Sequence, residues 1–213
     1  MKKREELKFY SSLLLMFAVL LSLNGGAQAL RHDKPTTLMR NNKIKGAYVG
    51  MSVQGYDING QYGYGLGGEV ALVMGRRFNF GFSGQALATD VVSNYQDAQG
   101  NKYFYEMAYG GLFIEPMIRS KWPIHLSFPV TLGGGAITES KNRVYNWDVD
   151  YDQQTSDYYL VAQTGANLEF NVFRFMRIAG GVNYRFMSDV YLHEGTSNMS
   201  GFGGNVTLKL GWF

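Results

Sequence analysis

His125-Leu126-Ser127 sets an imidazole and a hydroxyl two residues apart. On an extended strand such a pair shares one face, so a base could reach a nucleophile. Glu139 follows fourteen residues after His125 and is the nearest acid downstream that could orient the ring. Fourteen extended residues cover about 45 Å, so Glu139 cannot touch His125 if both lie on one strand. The pair therefore reads as a satisfied polar couple, and no enzyme is expected. Six other ionisable residues, Glu69, Glu115, Glu169, Arg177, Arg185 and Lys209, sit in apolar or small-residue surroundings. Three acids and three bases could neutralise one another if the fold brought them to one side. Asp148, Asp150 and Asp152 alternate as calcium-loop ligands do, but Gln153 and Tyr159 stand where an EF-hand needs Gly and Glu. No metal site is expected. Tyr145, Trp147 and Tyr151 lie among those polar residues, a pattern suited to recognition of a sugar or protein surface. Gly63-Tyr64-Gly65-Leu66-Gly67-Gly68 has no helix after it, so it is not a phosphate loop. No cofactor is expected.

The first 29 residues look like a cleaved leader. Lys2, Lys3, Arg4 and Lys8 form a basic start, Leu13 to Leu23 an apolar core, and Ala27-Gln28-Ala29 a small-residue end. The apolar core falls short of the roughly 20 residues that span a bilayer. Residues 30–43, with Pro35 and several polar side chains, read as a flexible tail. Residues 44–213 form one domain. The leader removes four of 20 bases and two of 17 acids, leaving 16 against 15. That balance gives no case for nucleic-acid binding. There are no cysteines, which excludes a disulfide framework and cysteine-based metal or redox sites.

Beyond residue 44 apolar and polar residues alternate with the period of a half-buried strand. Eight runs of about ten residues stand out. Their apolar faces are led by Val49, Leu66, Phe82, Leu112, Leu126, Leu168, Val182 and Val206. The opposite faces carry Gly, Ser, Asn and Gln together with the six charges and His125. Gly on a solvent-facing strand only weakens it. On the inner wall of a narrow barrel it makes room for long side chains, and opposed charges can fill that space. The links near 75–77, 120–123 and 173–174 are short, whereas those near 90–102, 138–157 and 187–200 are long. Short turns on one rim and long loops on the other suit a transmembrane barrel. The turns carry Arg76, Arg77, Arg119, Lys121 and Arg174, and the loops are mostly acidic. Phe78, Trp122, Phe173 and Trp212 at one rim, with Tyr103, Tyr105, Tyr158, Tyr159 and Tyr184 at the other, read as interfacial girdles.

The expected fold is all-β, an eight-stranded antiparallel up-and-down transmembrane β-barrel with a polar, plugged lumen. Residues 44–213 resemble the small outer-membrane β-barrels of the OmpA/OmpX type. The resemblance rests on eight alternating strands, an exported leader and a last strand ending Leu208-Lys209-Leu210-Gly211-Trp212-Phe213. Phe213 departs from the usual pattern because it falls on the polar face. The resemblance implies a bacterial outer-membrane location, contact with lipid and lipopolysaccharide, and insertion by the barrel-assembly machinery. His125-Leu126-Ser127 is similar to the His-x-Ser of an outer-membrane lipid A deacylase, but here both residues face the lumen. Three roles follow: a structural or surface-interaction protein acting through its loops with an unknown surface ligand, a narrow channel for small solutes or apolar molecules, and a lipid A-modifying enzyme.

Overall fold

The computed structural model describes residues 44–58, 60–75, 77–87, 91–96, 99–140, 155–193 and 195–213. All belong to one compact unit, Asn41–Phe213. The expected leader and tail, and the loop bearing Tyr145, Trp147 and Tyr151, lie outside the described residues. Among the described residues no helix is long and apolar enough to cross a membrane.

The strands are β1 (Ile44–Ile58), β2 (Gln61–Met74), β3 (Phe78–Leu87), β4 (Val91–Gln96), β5 (Lys102–Ile118) and β6 (Ile124–Ser127). They continue with β7 (Val130–Ser140), β8 (Thr155–Phe173), β9 (Met176–Met187), β10 (Val190–Leu192), β11 (Gly195–Ser197) and β12 (Gly201–Gly211). Eight of them close a ring of antiparallel neighbours, β1-β2-β3-β5-β7-β8-β9-β12 and back to β1. A closed ring leaves no unpaired edge. Stepping across partners from Gly211 through Tyr48, Ala71, Gly81, Phe113, Thr131, Gln163 and Arg185 ends at Gly201, ten residues from the start. A stagger of that size on a ring of this size tilts the strands by about 40°.

Two departures from the sequence expectation have simple causes. The fifth strand is split into β6 and β7 at Phe128-Pro129, because Pro129 has no N–H to give the ladder. Register is kept across the gap, since Phe128 donates to the Pro116 carbonyl at 2.9 Å and Gly165 to the Pro129 carbonyl at 2.9 Å. Two of the long links hold strand of their own. β4 pairs with β5 and extends the third wall strand, and β10 pairs with β11 as a hairpin inside the 188–200 link.

Alternation fixes the faces as the sequence implied. Val49, Leu66, Phe82, Val182 and Val206 point outward and are exposed, while Tyr48, Asn79, Phe113, Glu169 and Lys209 point inward and are buried. Glycine makes room where the lumen is crowded. A Cβ on Gly50 would come within 2.6 Å of the Glu69 side chain, so Glu69 can fold across β1 only because Gly50 has none. At the turn end Gly75 takes a positive φ of 60°, and so does Arg119 at 59°. Arg119 is a non-glycine residue in a conformation that side chains disfavour. Its turn is tied by Trp122 donating to the Arg119 carbonyl at 2.8 Å, and its guanidinium lies 4.6 Å from the Trp122 ring.

Candidate functional site

The interior has two halves with different chemistry. At the turn end, inward positions of β2, β5, β6, β8, β9 and β12 converge on the Lys209 ammonium. Its Nζ lies 2.5 Å from Glu115 Oε1, also bonds Glu169 Oε1, and is 3.8 Å from Glu69 Oε1. Glu115 Oε2 accepts from Asn79 Nδ2 at 2.7 Å and from the Tyr48 hydroxyl at 3.1 Å. Glu169 gathers His125 Nε2 at 2.8 Å, Arg177 NH1 at 3.6 Å and the Ser127 hydroxyl at 3.1 Å. Lys209, Glu115 and Glu169 are almost wholly buried. Below them Phe213 turns inward, its ring 3.9 Å from the Arg177 guanidinium and 5.4 Å from the Tyr48 ring. The last aromatic thus keeps the lumen parity its sequence position gives it and covers the charges.

Five of the six expected network residues therefore meet, joined by His125. Arg185 does not. It lies eight residues from Arg177 along β9, far up the wall. Among the described residues no carboxylate lies within ion-pairing distance of it. Its NH2 donates to the Met199 carbonyl at 3.0 Å and its guanidinium sits 4.6 Å from the Tyr56 ring. Shared parity on a strand placed it inside, but parity says nothing about height.

Between the halves is a polar belt. Asn183 donates to Asn205 Oδ1 at 3.3 Å, Gln163 to Gln54 Oε1 at 3.1 Å, and Ser83 and Thr131 share a bond of 2.7 Å. The belt surrounds a cavity of about 30 Å³, room for two or three water molecules.

The loop end departs from the expected polar lumen. Here the interior is apolar and aromatic, built on Tyr56, Ile58, Met107, Ile137, Met187 and Val190. Ile137 and Val190 have no exposed surface. The β10–β11 hairpin and its return bring Val190, Leu192 and Met199 into this cluster. Tyr103, Tyr105 and Tyr159, expected in an outer girdle, are buried inward here. They share parity with Tyr109 on β5 and with Val161 on β8. Tyr158 and Tyr184 lie on the outward parity, and Tyr184 packs edge-on against Phe186 and Phe202 at 4.5 and 4.7 Å.

At the rim of this half Glu139 and His193 meet, an encounter sequence spacing could not show. Glu139 lies far from His125, which is bound to Glu169 instead. The His125-Ser127-Glu139 triad therefore does not assemble. Glu139 Oε2 lies 2.9 Å from His193 Nδ1 and accepts the His193 backbone N–H at 2.9 Å. Glu139 Oε1 accepts from Ser93, which also contacts the Tyr105 hydroxyl at 3.3 Å. Among the described residues no group of three or more His, Cys, Asp or Glu side chains could hold a metal ion.

A ring of eight tilted antiparallel strands, apolar outside and polar or packed within, is a fold this chain shares with small outer-membrane β-barrel proteins. Solved structures with this fold include Neisserial surface protein A, with a TM-score of 0.53 at 8% identity over 78% of this chain and 95% of that one. The N-terminal β-barrel domain of Pseudomonas aeruginosa OprF gives a TM-score of 0.50 at 10% identity, over 79% of this chain and 98% of that one. No protein-family model and no curated protein matches the sequence. At these identities the likeness speaks for the fold.

Proposed function

We propose that the protein is an integral barrel of a bacterial outer membrane, closed along its axis by its own side chains, and that it acts at the cell surface through its loops. One observation carries the membrane reading. Outward positions from Ala47 to Val53, Tyr64 to Met74, Phe78 to Ala86 and Ala108 to Ile118 hold no charged residue. Neither do those of Ile124 to Ala136, Tyr158 to Val172, Met176 to Phe186 and Phe202 to Trp212. Within these spans the ionisable groups, Glu69, Glu115, His125, Glu169, Arg177, Arg185 and Lys209, point inward. In water such an outer face would forfeit about 25 cal/mol for each Å² of apolar surface left wet. In lipid it is the favourable surface, and a charge there would cost about 2–4 kcal/mol at mid-depth.

The closed lumen is supported by the Lys209 network below, a cavity of about 30 Å³ between, and the Ile137–Val190 cluster above. Eight strands enclose an interior that side chains just fill. With the axis filled, the surface left for recognition is that of the loops, the reading that Tyr145, Trp147 and Tyr151 also favour. Swelling of liposomes carrying the pure protein tests closure. No swelling above protein-free liposomes in small sugars or amino acids is expected. Swelling that scales with protein content would replace the closed barrel with a channel.

A further inference from the structure

His193 is held in a way that closing the lumen does not require. Glu139 is buried and each of its oxygens accepts: Oε1 from the Ser93 hydroxyl, Oε2 from the His193 backbone N–H at 2.9 Å. An ionised carboxylate can only accept. With Glu139 as a carboxylate, His193 Nδ1, 2.9 Å from the same Oε2, is the nitrogen that carries the proton. In the neutral ring Nε2 is then bare and can only accept. Thr155 Oγ1 lies 2.8 Å from that Nε2, so the threonine hydroxyl donates its proton to it. Hydroxyl, imidazole and carboxylate stand in the order, and the tautomer, of a nucleophile–base–acid relay.

The parts are held firmly. Glu139 and Thr155 are cross-strand partners on β7 and β8. The His193 ring is stacked on Tyr95 at 4.4 Å between centroids and 12° between planes, with Tyr103 at 5.3 Å. The ring therefore cannot swing freely away from Thr155. The acid end is sealed and the hydroxyl end is partly open: the Glu139 side chain is 1% exposed and that of His193 21%. Thr155 is half-buried. Ser93 is not the nucleophile, because its hydroxyl is given to Glu139.

We propose that Thr155, His193 and Glu139 form an acyl-transfer site that hydrolyses carboxylic esters reaching the loop end of the barrel. Thr155 Oγ1 attacks the ester carbonyl carbon while His193 Nε2 takes the hydroxyl proton. The bond from carbonyl carbon to ester oxygen breaks, and the departing alcohol takes that proton back from Nε2. Water then attacks the acyl-threonine with His193 again as base, releasing a carboxylic acid and restoring the Thr155 hydroxyl. Thr155 and His193 are catalytic residues, and Glu139 positions the ring.

The test uses the folded, full-length protein in detergent with p-nitrophenyl butyrate. Thr155→Val and His193→Gln should each lower hydrolysis by about 100-fold or more, whereas Thr155→Ser keeps it. Glu139→Gln should lower kcat and leave KM unchanged. An acyl adduct should appear by mass spectrometry on the peptide containing Thr155. Gel mobility before and after heating checks that each variant is folded. Equal rates for the wild type and a folded Thr155→Val variant would overturn the proposal. So would hydrolysis that survives in Thr155→Val with the adduct on another residue. Neither result bears on liposome swelling, so this site and the closed lumen stand or fall separately.

Discussion

The two halves of the lumen fill the same cross-section with opposite chemistry. At the turn end a buried ammonium sits among three carboxylates, a guanidinium and an imidazole. At the loop end Ile137, Met187, Val190 and Met199 pack with no ion pair among them. Each ionic contact near Lys209 works only while its partners are present, because an uncompensated charge out of water is costly. The apolar half loses stability in proportion to the volume removed and is indifferent to which partner is cut. Two arginines on one strand make the point. Arg177 shares Glu169 with Lys209 and His125, while Arg185, eight residues on, meets a carbonyl and tyrosine rings and, among the described residues, no carboxylate.

Substitutions can break that contrast, and the largest effect is expected at its centre. Lys209→Met leaves Glu69, Glu115 and Glu169 facing one another and should cost about 3–5 kcal/mol, read from urea unfolding of the refolded barrel. Val49→Lys, which puts a charge on the outward face, should cost about 2–4 kcal/mol in lipid vesicles. A cost near zero there would mean that this face sees water. Ile137→Ala should cost about 2–4 kcal/mol, set by the cavity it leaves. Arg185→Met should stay within about 1 kcal/mol, because the residue it removes has no buried carboxylate to strand. If Arg185→Met cost as much as Lys209→Met, the ionic and apolar halves would not differ as described.

Much of the wall was readable in the sequence because side chains alternate with a period of two. Val49, Phe82, Leu112 and Val206 needed nothing more to be placed outside, nor Glu115, Glu169 and Lys209 to be placed inside. Height along the barrel was not readable, because it depends on stagger between strands that are distant in sequence. Parity alone therefore groups Arg185 with charges it does not meet. Composition at a strand end points Tyr103 and Tyr105 to a girdle, although the parity of Tyr109 and Phe113 on the same strand turns them inward. The β10–β11 hairpin has three residues on each side, too few for alternation to register. Its capture of Glu139 through His193 was therefore invisible, as was the hydroxyl of Thr155 beside it. Pro129 could have warned of the break between β6 and β7, since it cannot donate to a ladder.

The central proposal is that this ring of strands stands in a lipid bilayer, with the charges of its mid-wall spans turned inward. The direct measurement is gel mobility of the protein taken from the outer-membrane fraction, boiled and unboiled. A folded barrel resists SDS at room temperature, so the unboiled band should run at a different position and move to that of the unfolded chain on heating. A protein recovered from the periplasm without detergent, with one band under both conditions, would contradict the account.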